Sequence, residues 1–411
     1  MTRSIAFGGL PDDGWRARAA DVIPGGSSTG SKRPEALYGT RAFDAAMPTH
    51  FERAQGCALW STDGRRFIDL GMALGAVGIG YADPSVTQAV HETVLQGNVS
   101  ILPHRLEVEV AERLIEVIPC AEQVRFLRTG AEATAAAVRL ARTATDRDRI
   151  IACGYFGWLD WCSDAAGVPQ DVRDAVTWVP FDDVLALRSA VALGPAPAAI
   201  IIEPLVHDIA SLEWLQVARD EATRVGAVLI FDEVKTAFRV RTGGVQALRD
   251  VTPDLTTLGK AMANGYPLAA VVGRADVMDA ARRTWISSTA ASEGTGLAAA
   301  RAVLEWHDRL DVCDRMASAG GQLQQILGTA LAEAPWVGVQ VAGPPVMWRL
   351  VADVAEQLDA LVAAAARSGV LLKRGAYQFG ALAHDDAACD EVARVLPEVM
   401  QSLVPGPRMA T

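Results

Sequence analysis

Ala227-Val228-Leu229-Ile230-Phe231-Asp232-Glu233 and Pro253-Asp254-Leu255-Thr256-Thr257-Leu258-Gly259-Lys260 carry most of what the chain reveals. The apolar run over 227–231 reads as a strand buried on both faces. It ends in a carboxylate, which is costly inside a protein unless paired or hydrogen-bonded. Asp232 therefore either caps a helix, pairs with an arginine, or is held for a cationic ligand atom. Lys260 stands between Leu258-Gly259 and Ala261-Met262 rather than on a charged face, and few lysines share the middle of the chain. A desolvated lysine loses basicity and becomes a nucleophile for carbonyl carbon.

Outward from this stretch, short β-branched runs alternate with Ala-rich helical segments. The runs are 124–127, 150–153, 176–179, 199–202, 227–231 and 268–272, with helices expected over 131–143, 183–192 and 212–224. That alternation indicates a mostly parallel sheet covered by helices. Sites in such sheets lie beyond the carboxyl ends of the strands. Two further strand ends carry candidates. Ala199–Ile202 runs into Glu203, which reads as a site carboxylate or as one reaching solvent. Val124–Leu127 runs into Arg128-Thr129-Gly130-Ala131-Glu132, where a helix begins. Its first amides suit a phosphate, and the same residues also read as a capping box of Thr129 and Glu132. Beyond residue 290 the pattern is mostly helical, with short strands near 338–350 and 370–382, as in a smaller α+β domain. Near the N-terminus, Asp63-Gly64 between two apolar runs marks a hairpin.

Composition narrows the class. The chain has 411 residues, 50% of them apolar and 21% charged. That is roughly two to three domains with ample core, and it excludes disorder as the main state. A net charge of −11 argues against a general nucleic-acid binder or an anionic-membrane surface. The six cysteines form no CxxC pair and the six histidines are scattered, so neither a disulfide framework nor a zinc site is expected. The stretch after Met1-Thr2-Arg3-Ser4 is too short for a signal segment, and the expected location is cytoplasmic, with no membrane span. Gly25–Lys32 imitates a P-loop but has Ser31 at the lysine position. Gly75, Gly78 and Gly80 echo a dinucleotide fingerprint without its strand and helix, which disfavours a nicotinamide oxidoreductase.

Several motifs together resemble the class III aminotransferases, fold type I enzymes dependent on pyridoxal phosphate (PLP). Phe231–Arg239 resembles the family's FDEV-x-TGFR, Pro253–Lys260 its PDL-TxxGK, and Gly154-Tyr155-Phe156-Gly157-Trp158 its GYHGW. Pro24-Gly25-Gly26 and the hairpin resemble the start of glutamate-1-semialdehyde aminomutases. The resemblance spans about residues 20 to 400. It implies a large domain over 71–292, a small α+β domain over 293–411, and an arm and hairpin over 1–70 that joins the small domain.

The resemblance also implies roles. Lys260 would bind PLP as a Schiff base, and Asp232 would pair with the pyridine nitrogen. Thr129, Gly130 and Ala131 would cradle the phosphate. Tyr155 would stack on the ring, and Glu203 would lie near the cofactor. Thr289 would reach the phosphate of the neighbouring subunit in a homodimer with shared sites. The implied reaction moves an amino group from an amino-acid donor to an aldehyde or ketone acceptor, through pyridoxamine phosphate. A 2,1-aminomutase, a racemase or an epimerase is the alternative.

The departures lie mostly toward the substrate. Phe156 replaces the motif histidine and Ala131 a hydroxyl residue. Thr289–Gly294 is not the aminomutase TLSGNP, 163–174 does not resemble its gating loop, and Tyr377–Gly380 lacks a common glutamate.

Overall fold

The computed structural model describes residues 12–44, 47–291, 293–375 and 377–404. The expectation for the extreme N-terminus, residues 1–11, lies outside these, as does Ser292. The chain divides into two compact units, one holding 76–78 and 84–314 and the other the remainder.

The larger unit is built on a seven-stranded sheet. Its strands are β1 (Gln123–Leu127), β2 (Ile150–Cys153), β3 (Val176–Trp178), β4 (Ala199–Ile202), β5 (Val228–Asp232), β6 (Leu255–Leu258) and β7 (Ala269–Gly273). The spatial order is β1-β7-β6-β5-β4-β2-β3. Neighbours from β6 through β3 pair in parallel, while β7 runs antiparallel to both β6 and β1. The connection from β6 to β7 holds only the short turn Lys260–Ala263, not a crossover helix, so the chain returns antiparallel. Strands β2, β4 and β5 are buried throughout, matching their unbroken apolar runs.

Helix Gly130–Thr145 lies against the sheet. Ala133, Ala136, Ala137 and Ala141 are buried in one cluster with Ile150, Ile201, Ile230 and Val271. Small side chains on that face let the helix axis approach the strands closely.

Two features go beyond the sequence pattern. Leu255–Leu258 is a central strand, although Thr256 and Thr257 interrupt its apolar pattern. Their hydroxyls are satisfied in the interior, Thr256 accepting from Gln246 Nε2 at 2.9 Å and Thr257 donating to Asp232 Oδ1 at 2.9 Å. The second concerns the domain boundary at 293. Helix Gly294–Arg309 belongs to the larger unit, and the division falls after Asp314. That helix buries Leu297, Ala298, Ala300, Val303 and Leu304, and it packs on helices Pro84–Gln96 and Arg105–Val117 of the same unit.

The smaller unit contains a sheet of Phe51–Gln55, Ala58–Ser61, Arg66–Asp69 and Val370–Leu371, in that spatial order. The first three are antiparallel neighbours, and the turn at Gly64 has φ +86°, as the Asp63-Gly64 pair requires. Val339–Ala342, Met347–Ala352 and Tyr377–Phe379 form a second, antiparallel sheet. Helices Ala355–Arg367 and Asp386–Ser402 complete it.

Candidate active site

The sheet register brings the candidates together. Cys153 pairs with Ile202, Ile202 with Phe231, and Asp232 with Thr257. The residues just beyond those pairs are Tyr155, Glu203 and Lys260, so they share the carboxyl edge of adjacent strands. Leu127 pairs with Ala269 at that same edge, and Thr129 follows it.

Asp232 is the last residue of β5 and is buried. Its Oδ1 accepts from Val234 N at 3.0 Å and from Thr257 Oγ1 at 2.9 Å. Among the described residues nothing donates to Oδ2. Burial pushes the Asp232 carboxyl up from its ordinary value and the charge of Glu203 adds to this, while Val234, Thr257 and Lys260 oppose it.

Glu203 does not reach solvent. It is buried, accepting Tyr155 N at 2.9 Å on Oε2 and Lys235 Nζ at 2.7 Å on Oε1. Lys235 is a site residue that sequence reading passed over. Its apolar and small neighbours Val234, Thr236 and Ala237 were the available signal, as they were for Lys260.

Lys260 opens the turn after β6 with φ +48°, in the left-handed region that side chains with a Cβ seldom occupy. Such backbone strain clusters where function fixes a side chain. Burial pushes its ammonium down from the ordinary lysine value. Lys235 adds to the drop, Asp232 and Glu203 oppose it, and Arg239 lowers it further.

At the end of β1 the capping box and the anion site coexist. Glu132 Oε2 accepts from Arg128 N at 2.9 Å and Thr129 N at 3.0 Å, and Thr129 Oγ1 accepts from Glu132 N at 3.2 Å. This leaves the Gly130 and Ala131 amides, to which no acceptor is given among the described residues. The loop after β2 closes over this turn. Gly157 has φ +104°, and a Cβ placed on it would lie 2.5 Å from Ala131 Cβ. Only glycine permits that approach.

Tyr155 is 70% exposed, its backbone tied to Glu203. Phe156, in the motif's histidine position, is buried against Trp161 and Trp178. Thr289 is exposed in a turn and lines a cleft of ≈ 950 Å³ with Ile101, Leu102, Glu132 and Trp285, a lining that does not include Lys260.

The model of class-III aminotransferases matches residues 41–163 and 182–399. The chain belongs to the class-III aminotransferase family. A glutamate-1-semialdehyde 2,1-aminomutase of Methanothermobacter thermautotrophicus is 39% identical over 281 residues, 64% of each chain. That match spans less than two thirds of the relative's length. One from Laribacter hongkongensis is 32% identical over 91% of this chain and 95% of its own. The FumI protein of Sphingopyxis sp. MTA144, solved as its PLP internal aldimine form, superposes with a TM-score of 0.90 at 26% identity, covering 96% of this chain and 97% of that one.

The cofactor of class-III aminotransferases is PLP, and the residues at this edge fit it. The two unclaimed amides at the N-terminus of a long helix suit a dianionic phosphate. The unclaimed Oδ2 of buried Asp232 suits the N–H of a pyridinium ring. Lys260, partly exposed and of lowered basicity, suits a covalent bond to an aldehyde carbon. Among the described residues no cluster could hold a metal ion, and no helix is long and apolar enough to cross a membrane.

Proposed function

We propose that the protein is an aminotransferase that moves an amino group from an amino-acid donor to an aldehyde or ketone acceptor. The observation that carries this is the convergence of Lys260, Asp232 and the Gly130 and Ala131 amides at one sheet edge. Bound there, PLP supplies an electron sink for charge developing at the carbon beside the substrate's amine. Asp232 Oδ2 would accept the ring N–H and keep it protonated. Thr129, Gly130 and Ala131 would hold the phosphate and so keep the ring in place. Tyr155 would cover the ring, and Lys260 Nζ would take the substrate's Cα proton.

The active unit is a homodimer. Leu95, Ile101, Leu102 and Trp285 are exposed apolar side chains of the larger unit, a surface that a second copy would cover. Thr289 lies at that surface, and in the dimer it would reach the phosphate held by the partner subunit. All six cysteines are free thiols, which supports a reducing, cytoplasmic location.

A 2,1-aminomutase is the second reading, favoured by the names of the relatives matched above. The substrate-side departures, Phe156 and Thr289–Gly294, favour intermolecular transfer. The test incubates the PLP form with single amino acids, without an acceptor. A transferase gives pyridoxamine phosphate and a free keto product in equal amounts. A shifted or inverted amine without keto product would establish a mutase, racemase or epimerase instead.

A further inference from the structure

The chain contains four lysines, Lys32, Lys235, Lys260 and Lys373, among 38 basic residues. Two of the four meet at the carboxyl edge of β4–β6. Lys235 fills the position that the FDEV-x-TGFR pattern leaves open, so nothing in the family motif demands a cation there. Its ammonium is seated on Glu203 at 2.7 Å, with side chains 12% and 4% exposed.

Consider the charges facing Lys260. Asp232 comes from β5 and Glu203 from the end of β4, while Lys235 and Arg239 come from the segment after β5. Glu233 is turned away, accepting from Val245 N at 2.9 Å and Gln246 N at 3.0 Å. Without Lys235, two carboxylates would face Lys260 from adjacent strands. Each would favour its ammonium and withdraw the lone pair that the chemistry needs.

We propose that Lys235 is a positioning residue for the reactive lysine: seated on Glu203, it cancels that carboxylate's charge and keeps Lys260 available as a free amine. This rests on the reading of Lys260 as the reactive lysine. The lowered basicity of Lys260, to which Lys235 contributes after burial, agrees with it. Lys235 also fixes Glu203 against Tyr155 N, and so holds the start of the loop that carries the stacking ring.

The test reads Lys260 in cofactor-free, full-length protein. Trace acetic anhydride acetylates only the neutral amine, and peptide mapping resolves each of the four lysines. Its rate is followed from neutral to alkaline pH in the wild type, Lys235→Met, Lys235→Arg and Lys235→Met/Glu203→Gln. Lys235→Met should shift the Lys260 profile to higher pH by about one unit, slowing labelling at neutral pH about tenfold. Lys235→Arg should restore the wild-type profile because it keeps the charge. The double variant should also lie near wild type, since the cation and the carboxylate it compensates leave together.

A wild-type profile in Lys235→Met overturns the proposal. So does a Lys235→Arg profile that follows Lys235→Met, since shape and not charge would then matter. If Lys235→Met does not fold, the double variant decides, because a profile shifted as far as expected for the single change contradicts charge cancellation. The readout contains no cofactor, so it stands apart from the site at which PLP attaches.

Discussion

Asp232 and Glu233 are chain neighbours, both buried, and they do different work. Glu233 is consumed internally: it accepts the Val245 and Gln246 amides and the Thr236 hydroxyl, capping the short helix Gly244–Arg249. Asp232 spends one oxygen on Val234 and Thr257 and keeps the other. Sequence showed that a carboxylate at the end of an apolar strand needed a partner. The strand pattern alone could not show which of the pair keeps a free oxygen, because that depends on Thr257 of a neighbouring strand; only the family motif singled out Asp232. Asp232→Asn keeps the shape and loses the charge that, on the proposed reading, would hold the ring nitrogen protonated. Turnover should fall about a thousandfold, a loss of roughly 4 kcal/mol in transition-state stabilisation, while the thermal midpoint stays close to wild type. Steady-state kinetics on the folded variant check this, and near-normal turnover would make Asp232 a structural residue.

At the scale of elements, strands and helices were legible where one periodicity ran unbroken. Helix Leu212–Val225 and strands β2 and β4 fall where the pattern puts them. Strand β6 was hidden because Thr256 and Thr257 look like loop chemistry until their buried partners are known. The antiparallel direction of β7 was hidden because its composition matches that of the parallel strands of the sheet. The placement of helix Gly294–Arg309 was hidden too, since an amphipathic pattern shows which face is buried and not against what.

One contact ties that helix to the candidate phosphate turn. Glu293 caps it, accepting from Gly296 N at 3.0 Å and Thr295 N at 2.9 Å, and pairs with Arg128 beside Thr129. Burial pushes the Glu293 carboxyl up, but the Thr295, Gly296 and Arg128 interactions outweigh it and bring it from 4.5 down to about 2. A carboxyl lowered in the folded state stabilises the fold above its unfolded value. That contribution is lost as pH falls from 4.5 toward about 2. Denaturant titrations in this window should show stability falling with acid. Glu293→Gln should be less stable at neutral pH and have a flatter slope. An unchanged slope would remove Glu293 from the acid response.

At the scale of the whole molecule, the proposed assembly rests on Thr289 and the exposed apolar side chains Leu95, Val99, Ile101 and Leu102. Sequence pointed to Thr289 only through the family motif, since no spacing rule identifies a residue proposed to act on another chain. Replacing Ile101 and Leu102 with Asp should give a monomer by sedimentation, with activity reduced at least about tenfold by loss of the shared site. Lys260→Ala and Thr289→Trp homodimers should each be poorly active. Mixed dimers should recover one intact site, with Lys260 from one chain and Thr289 from the other. A fully active monomer, or exchange without recovery, would contradict the shared site.

The central claim is that Lys260 holds PLP, and the chain's four lysines make it directly measurable. Protein loaded with PLP is reduced with borohydride, digested, and mapped by mass spectrometry. The expected result is a single phosphopyridoxyl label on Lys260, absent in Lys260→Ala. A label on Lys235, Lys32 or Lys373, or none on loaded protein, would contradict it.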